Sequence, residues 1–173
     1  MKKIIFFILI LSFLGCDKNN ITDSKGAKYF DSKNLNQLNL TSIDIYWSEG
    51  VDIDTSYYMG ATFENHSGFV DGIRLFSNNG KAIWISVFNT KEDAINAMEL
   101  RIQNVACLIK NGDQDEFRNQ WWYSECMGYI IFINQYNTII EIDFSSNAPF
   151  DLIKGILFEV ADIIIERIDK LSN

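Results

Sequence analysis

The sequence predicts an α+β domain, a mainly antiparallel sheet with two amphipathic helices packed on one face. Three observations predict it. Short apolar runs alternate with polar residues and are separated by tight-turn residues. Two stretches, one after Phe88 and one after Pro149, change to a helical period. The order of several strands, a helix, three strands and a helix favours hairpin connections, and short turns make antiparallel pairs.

Taken in order, residues 29–41 carry Tyr29, Phe30, Leu35, Leu38 and Leu40, which suit a short helix or an irregular packed arm. Ser42–Trp47 alternates Ile43, Ile45 and Trp47, as a half-buried strand does. Tyr57–Glu64 is a second candidate strand. Ile73–Phe76 and Ala82–Phe88 flank Ser77-Asn78-Asn79-Gly80. Asn-Gly between apolar runs signals a hairpin, because both residues tolerate positive φ.

Thr90 then caps a helix, with Asp93 at the acid position of a capping box. Its core stripe is Met98, Ile102, Val105 and Ile109, and Asn111-Gly112 ends it. Trp121–Met127 and Tyr129–Asn134 are strands broken by Gly128, and Thr138–Phe144 returns after Gln135-Tyr136-Asn137. Pro149 opens the last helix, where a missing N–H costs little. Its stripe is Ile153, Ile156, Leu157, Val160, Ile164 and Leu171, with Glu159, Asp162, Glu166 and Asp169 opposite.

The N-terminus tells where the chain works. Lys2 and Lys3 precede the run Ile4 to Leu14, then Gly15 and Cys16. The run is about 11 residues, the length of a signal-peptide core and short of the span of a membrane helix. Phe13-Leu14-Gly15-Cys16 resembles the lipobox of a bacterial lipoprotein signal peptide. Phe13 stands where that family usually has Leu, and Leu14 where it has a small or β-branched residue. The resemblance implies that residues 1–15 are a signal peptide and that Cys16 is acylated and heads the mature chain. Residues 16–28, almost without apolar content, then read as a flexible tether, and 29–173 as one globular domain. The implied location is the cell envelope, anchored outside the cytoplasm, inner or outer membrane open. One acyl chain binds a membrane marginally, and two or more anchor it.

Net charge is −8. Without Lys2 and Lys3 it is about −10, and an acidic body does not favour nucleic acid or anionic headgroups. Aromatics at 14% with a single proline argue against disorder. With Cys16 committed to lipid, Cys107 and Cys126 remain as an even pair in an oxidising compartment. A disulfide is one reading and two separate small apolar residues the other; Cys107 points roughly opposite the stripe of its helix, which is poor geometry for a bridge to Cys126 on the sheet.

Candidate chemistry is thin. His66 is the only histidine and sits in the loop-like stretch Glu64-Asn65-His66-Ser67-Gly68. One histidine and two separated thiols supply no zinc cluster. The acidic patches Asp52-Ile53-Asp54 and Asn111-Gly112-Asp113-Gln114-Asp115-Glu116 have alternate oxygens, yet neither fits an EF-hand loop. No phosphate loop, G-x-S-x-G or H-E-x-x-H is present. Trp121-Trp122-Tyr123 is the most unusual run. On a strand Trp121 and Tyr123 share one face and Trp122 takes the other, so one side could be a binding surface.

The expectation is a lipid-anchored extracytoplasmic lipoprotein that is not an enzyme, acting through protein contacts. A small-ligand-binding lipoprotein with an aromatic-lined pocket is the alternative, and a carboxylate-based hydrolase ranks last. No cofactor or metal is expected. The partners are the membrane, through the N-terminal lipid, and a protein or small ligand.

Overall fold

Alternation of side chains builds the sheet, and apolar residues on both of its faces decide where the helices go. The computed structural model describes residues 27–44, 53–54, 63, 65–77, 80–104, 108–125, 128–146 and 148–173. The leader, Cys16, the tether to residue 26, residues 45–47 of the strand expected at Ser42–Trp47, Asn79 of the expected turn, Cys107, Cys126 and the strand expected at 57–64, Phe63 excepted, lie outside them.

Among the described residues there are seven strands: Ile53–Asp54 (β1), Phe69–Ser77 (β2), Lys81–Phe88 (β3), Lys110–Asn111 (β4), Trp121–Ser124 (β5), Tyr129–Gln135 (β6) and Thr138–Phe144 (β7). They form one sheet in the order β1-β2-β3-β7-β6-β5-β4, every pair antiparallel. The α-helices whose full range lies among the described residues are Lys91–Asn104 (α1) and Phe150–Leu171 (α2). The α+β antiparallel class expected from the sequence is the one observed. No helix among the described residues is long and apolar enough to cross a membrane.

The hairpin expected at Asn79-Gly80 joins β2 to β3, with Leu75 opposite Ile83. Gly80 has φ +82°, where a side chain is strained, and its carbonyl accepts the Ser145 N–H at 3.1 Å. Of the capping box expected at Thr90 and Asp93, the N-cap half forms, and the Asp93 carboxylate takes the Thr90 hydroxyl in place of its backbone N–H. Thr90 Oγ1 accepts the Asp93 N–H at 3.0 Å and donates to Asp93 Oδ2 at 2.8 Å.

The helices were expected on one face and instead divide between two. On the first face Ile83, Ile85, Val87, Ile131, Ile133, Ile140 and Ile142 pack against Leu157, Val160, Ala161, Ile164, Ile165 and Ile168 of α2. On the second, Phe88, Trp122, Phe132 and Ile139 pack with Ala94, Ala97 and Met98 of α1. The physical reason is that β6 and β7 are apolar on both sides, as strands covered on both faces are. α1 leaves the sheet centre after β3 and lies over β3, β7 and β6 on its way to the far edge.

Two further expectations are corrected. α1 gives way after Asn104, and Lys110–Asn111 is strand β4, paired with Tyr123 and Trp122. There the edge backbone of β5 satisfies groups that a longer helix would have paired internally. Leu40–Ser42 is a 3₁₀ turn rather than the start of a strand, with Ile43 buried after it. The arm 29–41 is packed: a 3₁₀ helix, Ser32–Leu38, buries Leu35 and Leu38 in the first core. Its cover broadens the buried stripe of α2 to include Ala161, Ile165 and Ile168, while Ile156 and Leu171 are half-buried.

Candidate functional site

The aromatic run sits on β5 with the alternation expected, but both faces are covered. Trp121 is 2% exposed and Trp122 3%. Trp121 meets Phe158 edge-on at 4.9 Å between ring centroids, and its Nε1 donates to the Asp113 carbonyl at 2.8 Å. Its indole lies against the backbone of Gly112, where a Cβ would fall 1.9 Å from Cε2. Only glycine permits that approach. Trp122 packs in the second core with Ile109 and Phe132. The open platform expected from Trp121, Trp122 and Tyr123 therefore contracts to Tyr123, because α1 and the segment leading to β4 cover the second face.

Tyr123 opens onto a cleft of about 480 Å³ lined by Asn111, Asp113, Glu116, Trp121, Tyr123, Glu125, Phe150, Asp151 and Lys154. The strand edge, the loop before β5 and the first turn of α2 build it. Tyr123 stacks on Phe150 with centroids 5.2 Å apart and planes 12° off parallel. Lys110 Nζ lies 5.4 Å from the Tyr123 centroid and 3.4 Å from Glu125. Lys154 Nζ bonds Glu116 at 2.7 Å and lies 3.8 Å from Asp151. The hydrogen bond to Glu116 holds the Lys154 pKa above its ordinary value.

In the 111–116 patch the carboxylates of Asp113 and Glu116 are engaged within the chain. Asp113 Oδ1 accepts the Asp115 N–H at 2.9 Å, and Glu116 is engaged by Lys154. Among the described residues no three metal-ligating side chains converge. His66 is half-buried, its ring 5.6 Å from that of Phe63. Burial and then Arg101 lower its pKa.

The sequence reading missed a charged row across the second face. Cross-strand register aligns Arg74, Trp84, Glu141, Phe132 and Trp122 on β2, β3, β7, β6 and β5. Glu141 is 5% exposed, 3.8 Å from Arg101 of α1. Arg101 lies over the rings of Phe63 and Phe132. Among the described residues Glu141 Oε2 and Arg101 Nε are buried without a hydrogen-bond partner. Burial pushes the Glu141 pKa up to about 7, against the pull of Arg101. Asp143, two residues on and on the same face, rises to about 6, again chiefly by burial. The signal was there in Thr138–Phe144, an acid at an alternating position between isoleucines. Glu141 is a titrating group in the core wall.

A comparison with protein-family models, curated proteins and solved structures finds no match to this chain. The residues and their geometry therefore carry the functional reading.

Proposed function

We propose that this chain is a lipid-anchored protein of the bacterial cell envelope that catalyses no reaction and acts by binding, through the cleft beside Tyr123. The cleft itself is the observation that carries the binding role. It sets a stacked aromatic pair among five charged side chains, Asp113, Glu116, Glu125, Asp151 and Lys154, in one concave surface. The leader, with Gly15-Cys16 after its apolar run, carries the anchoring.

The attachment of the arm supports the two together. Tyr29 and Asn173 exchange backbone hydrogen bonds at 3.1 Å, so the chain enters the domain beside the C-terminus of α2. The cleft lies at the other end of that helix. Its 22 residues span about 33 Å at 1.5 Å each. The point where the chain enters the domain and the cleft are thus set apart along α2, so a lipid on Cys16 need not block the cleft.

A protein partner at the same place is favoured by Leu152, 69% exposed beside Asp151. The test is a thermal-shift screen of the full-length chain in neutral detergent against small sugars, amines and organic acids. A ligand that raises the wild-type midpoint and not that of Tyr123→Ala supports the cleft. A shift undiminished in Tyr123→Ala contradicts it.

A further inference from the structure

Taking the cleft as the binding site, we propose that its ligand is a small organic cation, with an ammonium group seated against the Tyr123–Phe150 ring pair. The chain already places ammonium groups there. Lys110 Nζ lies over the Tyr123 ring and Lys154 Nζ sits between Glu116 and Asp151. An aromatic face attracts a cation through its quadrupole, most strongly where water is partly excluded.

The charge balance of the walls points the same way. Asp113, Glu116, Glu125 and Asp151 line the cleft with Lys154, and Lys110 stands beside them over the Tyr123 ring, so carboxylates outnumber lysines four to two. Asp113 makes no ion pair among the described residues, its Oδ1 bonding only the Asp115 N–H. An anionic ligand would meet this field unfavourably. A bare metal ion would lack a converging ligand set among the described residues. An organic cation needs no such convergence, only an aromatic surface with carboxylates around it.

Lys110 is the competitor such a ligand must displace. Its pair with Glu125 is half exposed on both sides, 47% for each side chain. Pairs of that kind hold weakly. The chain therefore carries its own removable occupant for the ring face, and losing that occupant should strengthen cation binding.

Titration calorimetry of the full-length chain in neutral detergent tests this with spermidine as the cationic probe, citrate as the anionic one and N-acetylglucosamine as the neutral one. Spermidine should bind, and more weakly as salt rises. The exposed-site double variant Glu125→Gln, Asp151→Asn should weaken it about 3- to 10-fold, and Lys110→Met should tighten it about threefold. Equal spermidine affinity in all three proteins, or tighter binding of citrate than of spermidine, overturns the proposal. Binding of citrate or N-acetylglucosamine alone, abolished by Tyr123→Ala, overturns the cation and keeps the cleft. Binding of none of the three probes removes the support for both.

Discussion

The side chain of Asn137 holds the backbone of Phe30, 107 residues away, by two hydrogen bonds. Its Oδ1 accepts the Phe30 N–H at 2.8 Å and its Nδ2 donates to the Phe30 carbonyl at 3.1 Å. The same Nδ2 donates to the Phe88 carbonyl at 2.7 Å. One buried amide in the β6–β7 turn thus fastens the entering arm to the end of β3. Phe30 belongs to the first core and Phe88 to the second, so the joint ties both layers together.

Asn137→Ala strands those buried backbone groups. An unsatisfied buried group costs about 1–3 kcal/mol, so the variant should lose on the order of 2–4 kcal/mol in urea denaturation. Exchange of the Phe30 amide should accelerate more than that of Ile140. Equal acceleration at both would mean that the arm is not held by this joint.

Local signals were legible in the sequence. Asn79-Gly80 and Thr90-x-x-Asp93 act within a few residues, and the β2–β3 hairpin and the Thr90 N-cap both formed. Non-local effects were not. The end of α1 depends on a partner strand that starts at Trp121. The division of the helices between faces was readable in Ile130–Ile133 and Ile139–Ile140, continuous apolar runs of a strand covered twice. The cleft was half legible. Trp121-Trp122-Tyr123 marked the strand, but the pairing of Glu116 with Lys154, 38 residues apart, needs the fold to bring α2 over the loop.

Trp121→Ala and Trp122→Ala should each cost about 3–5 kcal/mol, the loss for a large aromatic removed from a core. Both indoles are almost wholly buried, in separate cores. A variant with an unchanged denaturation midpoint would place that indole on the surface.

Gly112→Ala should cost about 1–3 kcal/mol, as overpacking does. The added methyl would overlap the Trp121 indole, which must move off the Asp113 carbonyl. The readout is a change in tryptophan emission together with a lower melting temperature. Wild-type emission and melting would contradict the close approach.

Glu141 makes stability pH-dependent. Its folded pKa, about 7, lies above its ordinary value of 4.5. Between those values the folded chain keeps a proton that the unfolded chain releases. The contribution is fully present below about 4.5 and is lost as pH rises through about 7. Relative to Glu141→Gln, the wild type should therefore lose on the order of 1–3 kcal/mol between pH 5 and pH 8. A wild type that instead gains on the variant over that range would mean Glu141 is ionised and well paired with Arg101.

Attachment to the membrane through Cys16 is the central proposal. Mass spectrometry of the N-terminal peptide from cells fed labelled fatty acid tests that most directly. The prediction is a mature chain beginning at Cys16, carrying labelled acyl chains, with Cys16→Ala unlabelled and unprocessed. A mature wild type that keeps residues 1–15, or starts elsewhere with no label on Cys16, would contradict it.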